Sequence, residues 1–209
     1  MYLSDRDLEF AIKNGQLIVD PPPEEYDTTS IDLHLDSVNE AKIWDAKKYV
    51  DSRATDGSDP VLNVGQYKYT DFALKYLVIP PNSSVENKDS LVIRKDNGII
   101  LRRGGFVLWQ TKEKVGTPGI NPQFICFING KSSSARSGLI VHMTAPTIHA
   151  GWYGQITLEI GNLGPFDLSL HEGDAICQIV VAKLTSQPEG KKKEKIAIGQ
   201  KNVTGQAST

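Results

Sequence analysis

The sequence is poor in cysteine and in net charge, and it contains no long apolar run. Only two of its 209 residues are cysteines, and its formal net charge is −2 at pH 7. A near-neutral chain offers no broad basic surface, which argues against a nucleic acid as partner. No apolar stretch approaches the length that crosses a bilayer, which argues against a membrane protein. Polar Asp5, Arg6 and Asp7 stand where a signal peptide would be apolar, so we expect a cytoplasmic protein.

The chain length suits one well-buried domain followed by a tail of different character. A sequence of 209 residues can bury a sizeable core as a single domain, and it contains no internal repeat. The end of the chain is a lysine-rich run followed by small polar residues, which is typical of a solvated, mobile segment. We therefore predict one domain over residues 1–190 and a flexible C-terminal arm over residues 191–209.

Short apolar runs separated by glycine and proline predict a mainly β fold with a short N-terminal helix. The run from Ser30 to Leu35 alternates apolar and polar residues, as a half-buried strand does. Ser4 is a good N-cap for a helix that Asn14-Gly15 would end. Residues from about Asp45 to Asp59 are polar and lack a period, which predicts an insertion or long loop. Several short strands at regular spacing indicate a barrel or a sandwich.

The segment from Gly130 to Glu159 concentrates the residues that suit a chemical role. It begins with a predicted tight turn that carries three serines and Arg136, groups that suit phosphate and the polar edges of bases. Gly138 ends this turn, and a buried strand follows it. The run from Gln155 to Ile160 alternates as a second strand, which places one carboxylate, that of Glu159, among apolar neighbours.

Along this segment the sequence resembles the dCTP deaminase family of the trimeric dUTPase-like superfamily. The resemblance rests on G-K-S-S-S-A-R-S-G-L, on V-H-M-T-A and on G-W-Y-G-Q-I-T-L-E. Further patches that agree with it are Leu3 to Leu8, Ser30 to Leu35, and Leu170 to Gln178. The resemblance implies a dUTPase-like β-clip barrel. It also implies a hydrolase acting on a cyclic amidine, which converts dCTP and water into dUTP and ammonia.

Glu159 is the predicted catalytic residue. Removing the 4-amino group of cytosine requires a group that takes a proton from water and supplies protons to the ring and the leaving amine. One carboxyl can do this if its pKa is raised toward neutrality. Without the surrounding motif, a strand glutamate that merely faces solvent would be the simpler interpretation.

The sequence lacks the H-x-E and P-C-x-x-C elements by which most nucleobase deaminases hold zinc. Cys126 and Cys177 are far apart, each in an apolar, strand-like run, and are expected to be reduced core thiols. A deaminase built from this chain would therefore act without zinc at the reacting carbon. The family resemblance implies the same.

The resemblance also implies roles for further positions. Ser132 and Arg136 correspond to catalytic-site positions that line the pyrimidine and hold the water and the glutamate, although a turn serine and a structural ion pair would also explain them. Trp152 could equally be a core aromatic residue, and His142 is interpreted as a hydrogen-bonded barrel histidine without a catalytic role. The expected substrate-binding residues are Lys131, Ser133, Thr144, Ala145, His149, Trp152, Gln178 and Gln200.

Three departures from the family pattern leave the exact activity open. His149 stands where the family and the dUTPases carry aspartate, which in dUTPases orients the water that attacks the α-phosphate. Hydrolysis of dUTP by that route is therefore not expected. Lys131 replaces an arginine, which keeps the charge but loses the bidentate fork, and Ile196-Ala197 replaces a Lys-Tyr pair. The alternatives are a dUTPase or bifunctional enzyme that takes dCTP to dUMP, and a non-catalytic pyrimidine-nucleotide-binding protein.

The resemblance finally implies the partners of the site. The substrate is a pyrimidine deoxynucleoside triphosphate, with Mg²⁺ bound through the triphosphate and no metal ligands from protein side chains. A homotrimer is expected, in which Ser132 and Arg136 face Glu159 of another subunit. Gly199 to Gly205 resembles the family's G-Q-K-G-x-T-G arm, which predicts that this stretch closes over the triphosphate.

Overall fold

Strands dominate the part of the chain that the computed structural model describes, residues 1–189, 197–198 and 202–204. The helices are α1 (Asp5–Lys13), α2 (Ala46–Thr55), α3 (Tyr69–Tyr76) and α4 (Ser132–Arg136), and a 3-10 turn covers Val38–Glu40. The strands are β1 (Ile18–Asp20), β2 (Ile31–His34), β3 (Ile43–Trp44), β4 (Leu77–Val78), β5 (Val92–Lys95), β6 (Gly98–Leu101), β7 (Phe106–Gly116), β8 (Phe124–Gly130), β9 (Leu139–Ile140), β10 (Thr147–Ile148), β11 (Trp152–Asn162), β12 (Leu168–His171), β13 (Ala175–Lys183) and β14 (Ala197–Ile198). The predicted mainly β fold is confirmed, and the predicted domain boundary at residue 190 stays a prediction.

Two sheets carry most of the strands. One sheet has the order β1-β7-β11-β14, with β9 also paired to β11, and the other has the order β10-β8-β13-β2. A smaller sheet has the order β12-β6-β5. β7 and β11 pair antiparallel along most of their length, which sets Glu159 opposite Leu108. The long β11 strand is therefore paired with β7 along most of its length and with β14 and β9 at its two ends.

The hydrophobic core takes alternate residues from these strands. Ile156, Leu158 and Ile160 of β11 are at most 8% exposed, as the alternation predicted. The predicted inward face of the strand from Ser30 to Leu35 is confirmed in the same way. Each fully buried Leu or Ile stabilises the fold by about 1.5–3 kcal/mol. A register slip by one residue would expose this whole set, so burial also fixes the face on which Glu159 lies.

The N-terminal helix begins and ends where its sequence predicts. Ser4 precedes α1, and the carboxylate of Asp7 accepts hydrogen bonds from both the backbone N–H and the hydroxyl of Ser4, at 3.4 and 3.1 Å. Leu8 is fully buried, and Asn14 caps the C-terminus. No helix in the described part of the chain is long and apolar enough to cross a membrane.

The stretch from about Asp45 to Asp59 was predicted as an insertion or a long loop, and the second alternative is wrong, because α2 covers most of this stretch. Asp45 caps α2 by accepting the Lys48 N–H at 2.9 Å, and Lys47 pairs with Asp51 one turn on, at 2.8 Å. None of the α2 residues is fully buried. A helix that buries no apolar stripe shows no apolar period, and the sequence pattern therefore concealed it.

Residues 45–76, which we call the insert, leave the body at β3 and return to it at β4. These two strands pair antiparallel, with Trp44 opposite Leu77, and close the base of the insert. The backbone N–H of Asp45 adds a hydrogen bond to the Tyr76 carbonyl at 2.8 Å. On its other side the base joins β7, because Lys42 and Leu108 exchange two backbone hydrogen bonds of 2.8 Å. Since Leu108 lies opposite Glu159, the insert is anchored beside the predicted catalytic strand.

Candidate active site

A cavity of about 480 Å³ contains the Glu159 carboxylate. This volume lies within the usual range of about 300–1,000 Å³ for small-molecule sites. The lining is mostly apolar and aromatic, and Glu159 is the one carboxylate among its described residues. The lining residues are Trp44, Tyr69, Phe106, Leu108, Ile128, Ala145, Thr147, Ile148, His149, Trp152, Ile156, Thr157 and Glu159. A single carboxylate in an apolar setting is the arrangement that the sequence motif predicted.

The position of the Glu159 side chain in the cavity is fixed by its buried neighbours in β11 and by one hydrogen bond. Its neighbours Leu158 and Ile160 are fully buried on the opposite face of β11. One carboxylate oxygen, Oε2, accepts a hydrogen bond of 3.1 Å from the backbone N–H of Met143. This contact ties the strand to the V-H-x-T-A segment (residues 141–145). Glu159 is therefore oriented by backbone on two elements, rather than free to turn in solvent.

Three of the predicted substrate-binding residues line the same cavity. Ala145, His149 and Trp152 lie along its wall, and Ala145 and His149 are exposed within it. Trp152 lines the cavity, is half-buried and packs against the core, whereas its contact with the base or sugar stays a prediction. Gly151 has a φ of +84° in the turn before Trp152, a conformation that favours glycine. Thr144 is exposed next to these residues but is not part of the cavity wall.

The serine-rich stretch is a short helix rather than the predicted tight turn. α4 (Ser132–Arg136) begins where β8 ends, and the backbone N–H of Gly138 bonds back to the Ala135 carbonyl at 3.0 Å. Gly138 has a φ of +92°, and a Cβ placed there would lie 2.1 Å from the Gly164 nitrogen. Glycine is therefore required at this position by both its backbone conformation and its close neighbour.

The α4 residues are not part of the cavity that holds Glu159. Ser132, Ser133 and Arg136 are exposed, and none of them is part of the cavity wall. Arg136 has no ion-pair partner among the described residues, so its interpretation as a structural ion pair is wrong there. Within one chain, the structure does not bring the three predicted catalytic residues into one cavity.

Lys131 and Gln178 lie in a separate polar group near the end of β8. The Lys131 ammonium forms an ion pair with the Asp32 carboxylate. The Gln178 side chain accepts a hydrogen bond of 3.1 Å from the Ser30 hydroxyl, and Gln178 lies opposite Asp32 in the sheet. These two predicted substrate residues are thus already engaged within the chain. Gln200, the last of the predicted set, lies outside the described residues.

A second cavity, of about 710 Å³, is lined in large part by carboxylates. Its acidic residues are Glu24, Glu25, Asp27, Asp32 and Glu113. Glu113 is buried and accepts two hydrogen bonds from His34, of 2.9 Å from the backbone N–H and 2.7 Å from the ring. An acidic lining repels a triphosphate at close range. The smaller cavity around Glu159 therefore suits an anionic nucleotide better than the larger one does.

The sequence reasoning missed three aromatic residues of the cavity, Trp44, Tyr69 and Phe106. Burial, followed by the nearby charges of Glu159 and Tyr67, raises the pKa of Tyr69 to about 12. The phenol therefore remains protonated at neutral pH and can donate a hydrogen bond. A signal was available, since six of the sixteen aromatic residues lie between Trp44 and Tyr76, in a stretch with no recognised motif.

His142, Cys126 and Cys177, which were also interpreted from the sequence, lie outside the cavity. The interpretation of His142 as a hydrogen-bonded barrel residue is wrong, because its buried Nδ1 has no partner in the described part of the chain. Cys126 and Cys177 are buried free thiols, as predicted, on adjacent strands β8 and β13. Burial raises the pKa of each thiol to about 12. Among the described residues no group of three or more His, Cys, Asp or Glu could hold a metal ion.

Comparison with known proteins places this geometry beside one family. A family model described as "dCTP deaminase-like" matches residues 2–184. The chain is 30% identical over 190 residues to a protein of Methanosphaera stadtmanae named "dCTP deaminase, dUMP-forming", which covers 90% of this chain and 81% of that protein. It is 28% identical over 189 residues to a "dCTP deaminase" of Thermomicrobium roseum, which covers 89% of this chain and 81% of that protein.

A solved structure shows the same fold. The crystal structure of 2'-deoxycytidine 5'-triphosphate deaminase from Agrobacterium tumefaciens aligns with a TM-score of 0.52 and 18% sequence identity. The alignment covers 86% of this chain and 47% of that chain, so this chain spans about half of its length. At this level of identity the likeness concerns the fold, and it agrees with the predicted dUTPase-like β architecture.

Proposed function

The chain belongs to the dCTP deaminase-like family, and from this premise we propose that it is a hydrolase that removes the 4-amino group from dCTP. The observation that carries the proposal is Glu159, the one carboxylate among the described residues of a mostly apolar cavity of about 480 Å³, with one oxygen held by a backbone N–H. A carboxylate so placed is positioned for proton transfer to and from a bound ring.

In the proposed reaction Glu159 handles each proton in turn. Its carboxylate takes a proton from a water molecule as the water oxygen forms a bond to C4, and the ring nitrogen N3 becomes protonated. Glu159 then takes the proton of the new C4 hydroxyl and passes it to the amino group, which leaves as ammonia as the C4–N bond breaks and the C4 carbonyl of uracil forms. The Met143 N–H stays on Oε2 throughout, so the carboxylate keeps its direction while its charge changes.

The cavity residues divide between the base and the sugar. We propose that Ala145 and the neighbouring backbone at Thr144 approach the cytosine closely, since Ala145 is exposed in the cavity and has the smallest side chain in its lining. Trp152 and His149 are proposed to contact the base or sugar from the opposite end of the same loop. Lys131 and Gln178 lie outside the cavity of their own chain, and we propose that they contact phosphate at a site shared with a neighbouring subunit, where the Lys131 ammonium is shared with Asp32.

We propose that the functional unit is a homotrimer with its sites between subunits. Ser132 and Arg136 are exposed on α4 and lie outside the cavity of their own chain. An exposed arginine without an ion pair among the described residues is available to a neighbouring subunit's Glu159 and water. Mg²⁺ is proposed to arrive bound to the triphosphate and to neutralise part of its charge.

Mixing two inactive variants tests this arrangement. Arg136→Ala and Glu159→Gln are each expected to abolish turnover, and refolding them together should restore about a quarter of wild-type activity if each site draws on two subunits. Light scattering should show one trimeric species for each variant and for the mixture. A mixture that stays inactive, or a stable monomer at assay concentration, would contradict the proposed site between subunits.

A product assay tests the reaction itself. Purified protein is incubated with dCTP and Mg²⁺, ammonia is quantified, and the nucleotides are separated by ion-pair chromatography. Formation of uracil nucleotide and ammonia in equal amounts is expected. Tight dCTP binding by calorimetry without any product would instead support a non-catalytic pyrimidine-nucleotide-binding protein.

The second candidate function carries the reaction on to dUMP. Relatives carry both names, "dCTP deaminase, dUMP-forming" and "dCTP deaminase". His149 favours dUTP as the final product, because a histidine in the cavity wall does not offer the anionic acceptor that would orient a second water. The same assay separates the candidates: dUTP supports the first, whereas dUMP with pyrophosphate supports the second.

A further inference from the structure

The insert contributes Tyr69 to the lining of the cavity, and an aromatic cluster packs beside this residue. Phe72 of α3 lies at the centre of this cluster, with ring centroids 5.2 Å from Trp44, 5.6 Å from Tyr49, 5.0 Å from Tyr67 and 4.8 Å from Tyr76. Each such pair contributes about 0.5–1.5 kcal/mol beyond burial. Tyr69 begins α3 and extends from this cluster to the cavity that contains Glu159.

The hydroxyl of Tyr69 binds the C-terminal part of the chain. It donates a hydrogen bond of 2.7 Å to the backbone carbonyl of Val203. Val203 is only 1% exposed, and the Thr204 N–H folds back to the side chain of Asn202 at 3.1 Å. Because the pKa of Tyr69 is raised to about 12 by burial and then by nearby charge, the hydroxyl remains a donor across the physiological pH range. The described stretch at residues 202–204 is therefore docked on the insert.

A second contact joins another described C-terminal stretch to the strand that carries Trp152. β14 pairs in parallel with the start of β11, with Ala197 opposite Trp152 and Ile198 opposite Tyr153. Trp152 and Tyr69 both line the cavity. The two described C-terminal stretches are thus anchored on two different lining residues, and only three chain positions separate them.

From this geometry we propose that Tyr69 is a substrate-positioning residue, which anchors the stretch at residues 202–204 through Val203 and so keeps that stretch docked at the wall of the nucleotide cavity. The inference rests on the proposed function, since the nucleotide is the ligand to be held. Tyr69 acts through the segment it anchors and takes no part in the proton transfers of Glu159. Removing its hydroxyl should therefore weaken substrate binding in the ground state and the transition state equally.

The test compares Tyr69→Phe with a matched control, Tyr49→Phe. Tyr49 belongs to the same aromatic cluster, and its hydroxyl also donates to a backbone carbonyl, that of Val61 at 3.2 Å, but it does not line the cavity. Each variant loses one hydroxyl and one hydrogen bond of the insert. Any difference between the two variants therefore reports the contact with Val203 rather than a loosened insert.

Two readouts are measured on the full-length protein. Hydrogen exchange of the peptide covering residues 202–204, without nucleotide, should be faster in Tyr69→Phe than in wild type and unchanged in Tyr49→Phe. KM for dCTP should rise about 2- to 12-fold in Tyr69→Phe, the effect of one lost hydrogen bond. The value of kcat should change less than twofold, and Tyr49→Phe should keep both constants.

Four outcomes would overturn the proposal. These are unchanged hydrogen exchange in Tyr69→Phe, faster exchange with an unchanged KM, a fall in kcat instead of a rise in KM, and an equal response from Tyr49→Phe. If wild-type protein fails to turn over dCTP, the proposed function fails by itself. Hydrogen exchange and the calorimetric Kd for dCTP, compared between wild type and the two variants, then decide the role of Tyr69.

Discussion

Replacing Glu159 by glutamine changes the proposed chemistry while leaving the local geometry almost intact. The side-chain oxygen of glutamine can still accept the Met143 N–H, which is 3.1 Å from the carboxylate. An amide cannot take a proton from water or return one to the leaving amine. Loss of a general acid–base group costs about 10²–10⁴-fold in rate. We expect kcat to fall by at least that factor, because one group handles each proton transfer.

The expected loss of stability is small and follows from the same hydrogen bond. A bond to a charged group contributes about 1.5–3 kcal/mol and a neutral one about 0.5–1.5 kcal/mol, so the exchange costs about 1 kcal/mol. For a domain of this size that corresponds to a fall in Tm of about 2–4 °C. Leu158 and Ile160, which are fully buried beside Glu159, are untouched. The variant is therefore expected to be folded and able to bind dCTP at 25 °C.

The control for this experiment is Glu172→Gln. The Glu172 carboxylate also accepts one backbone N–H, that of Val38 at 3.2 Å, and it lies outside the cavity that holds Glu159. Both variants should lose similar stability, but only Glu159→Gln should lose ammonia release in single-turnover assays. Calorimetry should show that both bind dCTP. A Glu159→Gln variant that keeps more than a tenth of wild-type kcat would refute the assignment.

Three shorter predictions concern the product, the thiols and the turn after α4. His149→Asp places a carboxylate in the cavity wall, so ³¹P NMR should detect pyrophosphate and dUMP that wild type does not form. An unchanged dUTP product would count against the role given to this position. Burial raises the pKa of Cys126 and Cys177 to about 12, so their thiolate fraction at pH 8 is about 10⁻⁴. Mass spectrometry should therefore show no alkylation by iodoacetamide until the chain is unfolded. Gly138→Ala should lower the denaturation midpoint far more than Gly104→Ala. Both glycines have a positive φ, but only at Gly138 would the added Cβ lie 2.1 Å from a backbone atom. Equal losses would mean that the close contact relaxes freely.

Much of the β-sheet structure can be predicted from the local pattern of apolar and polar residues. The alternation in β11 predicts that Ile156, Leu158 and Ile160 are buried and that Glu159 lies on the other face, and the structure agrees. Successive side chains of a strand point to opposite faces, so the period of the sequence carries this information without any distant contact. The N-terminal helix is predictable for the same reason, because Ser4 acts on its own first turn.

The insert shows where local pattern fails. α2 buries none of its residues fully, so it has no apolar period to recognise, and it is stabilised by its cap and by ring contacts such as Tyr49 with Phe72. These rings are 23 residues apart in the sequence and meet only after two helices have packed on each other. Sequence reasoning therefore predicted an insertion but missed both its helices and its place beside the cavity.

The sequence by itself determined the family resemblance and the residue types available for a site, and the tertiary structure decided which residues share a cavity. The motif from Gly130 to Glu159 contains a serine-rich stretch, an arginine and a carboxylate. These can be recognised in the sequence because residue types and spacing are local properties. Only the packed chain shows that Glu159 lies with Tyr69 and Trp152, and that Arg136 faces outward on α4. Burial of the core and strand pairing bring together chain segments that are distant in sequence. The local periodicity of the sequence contains no information about these long-range contacts.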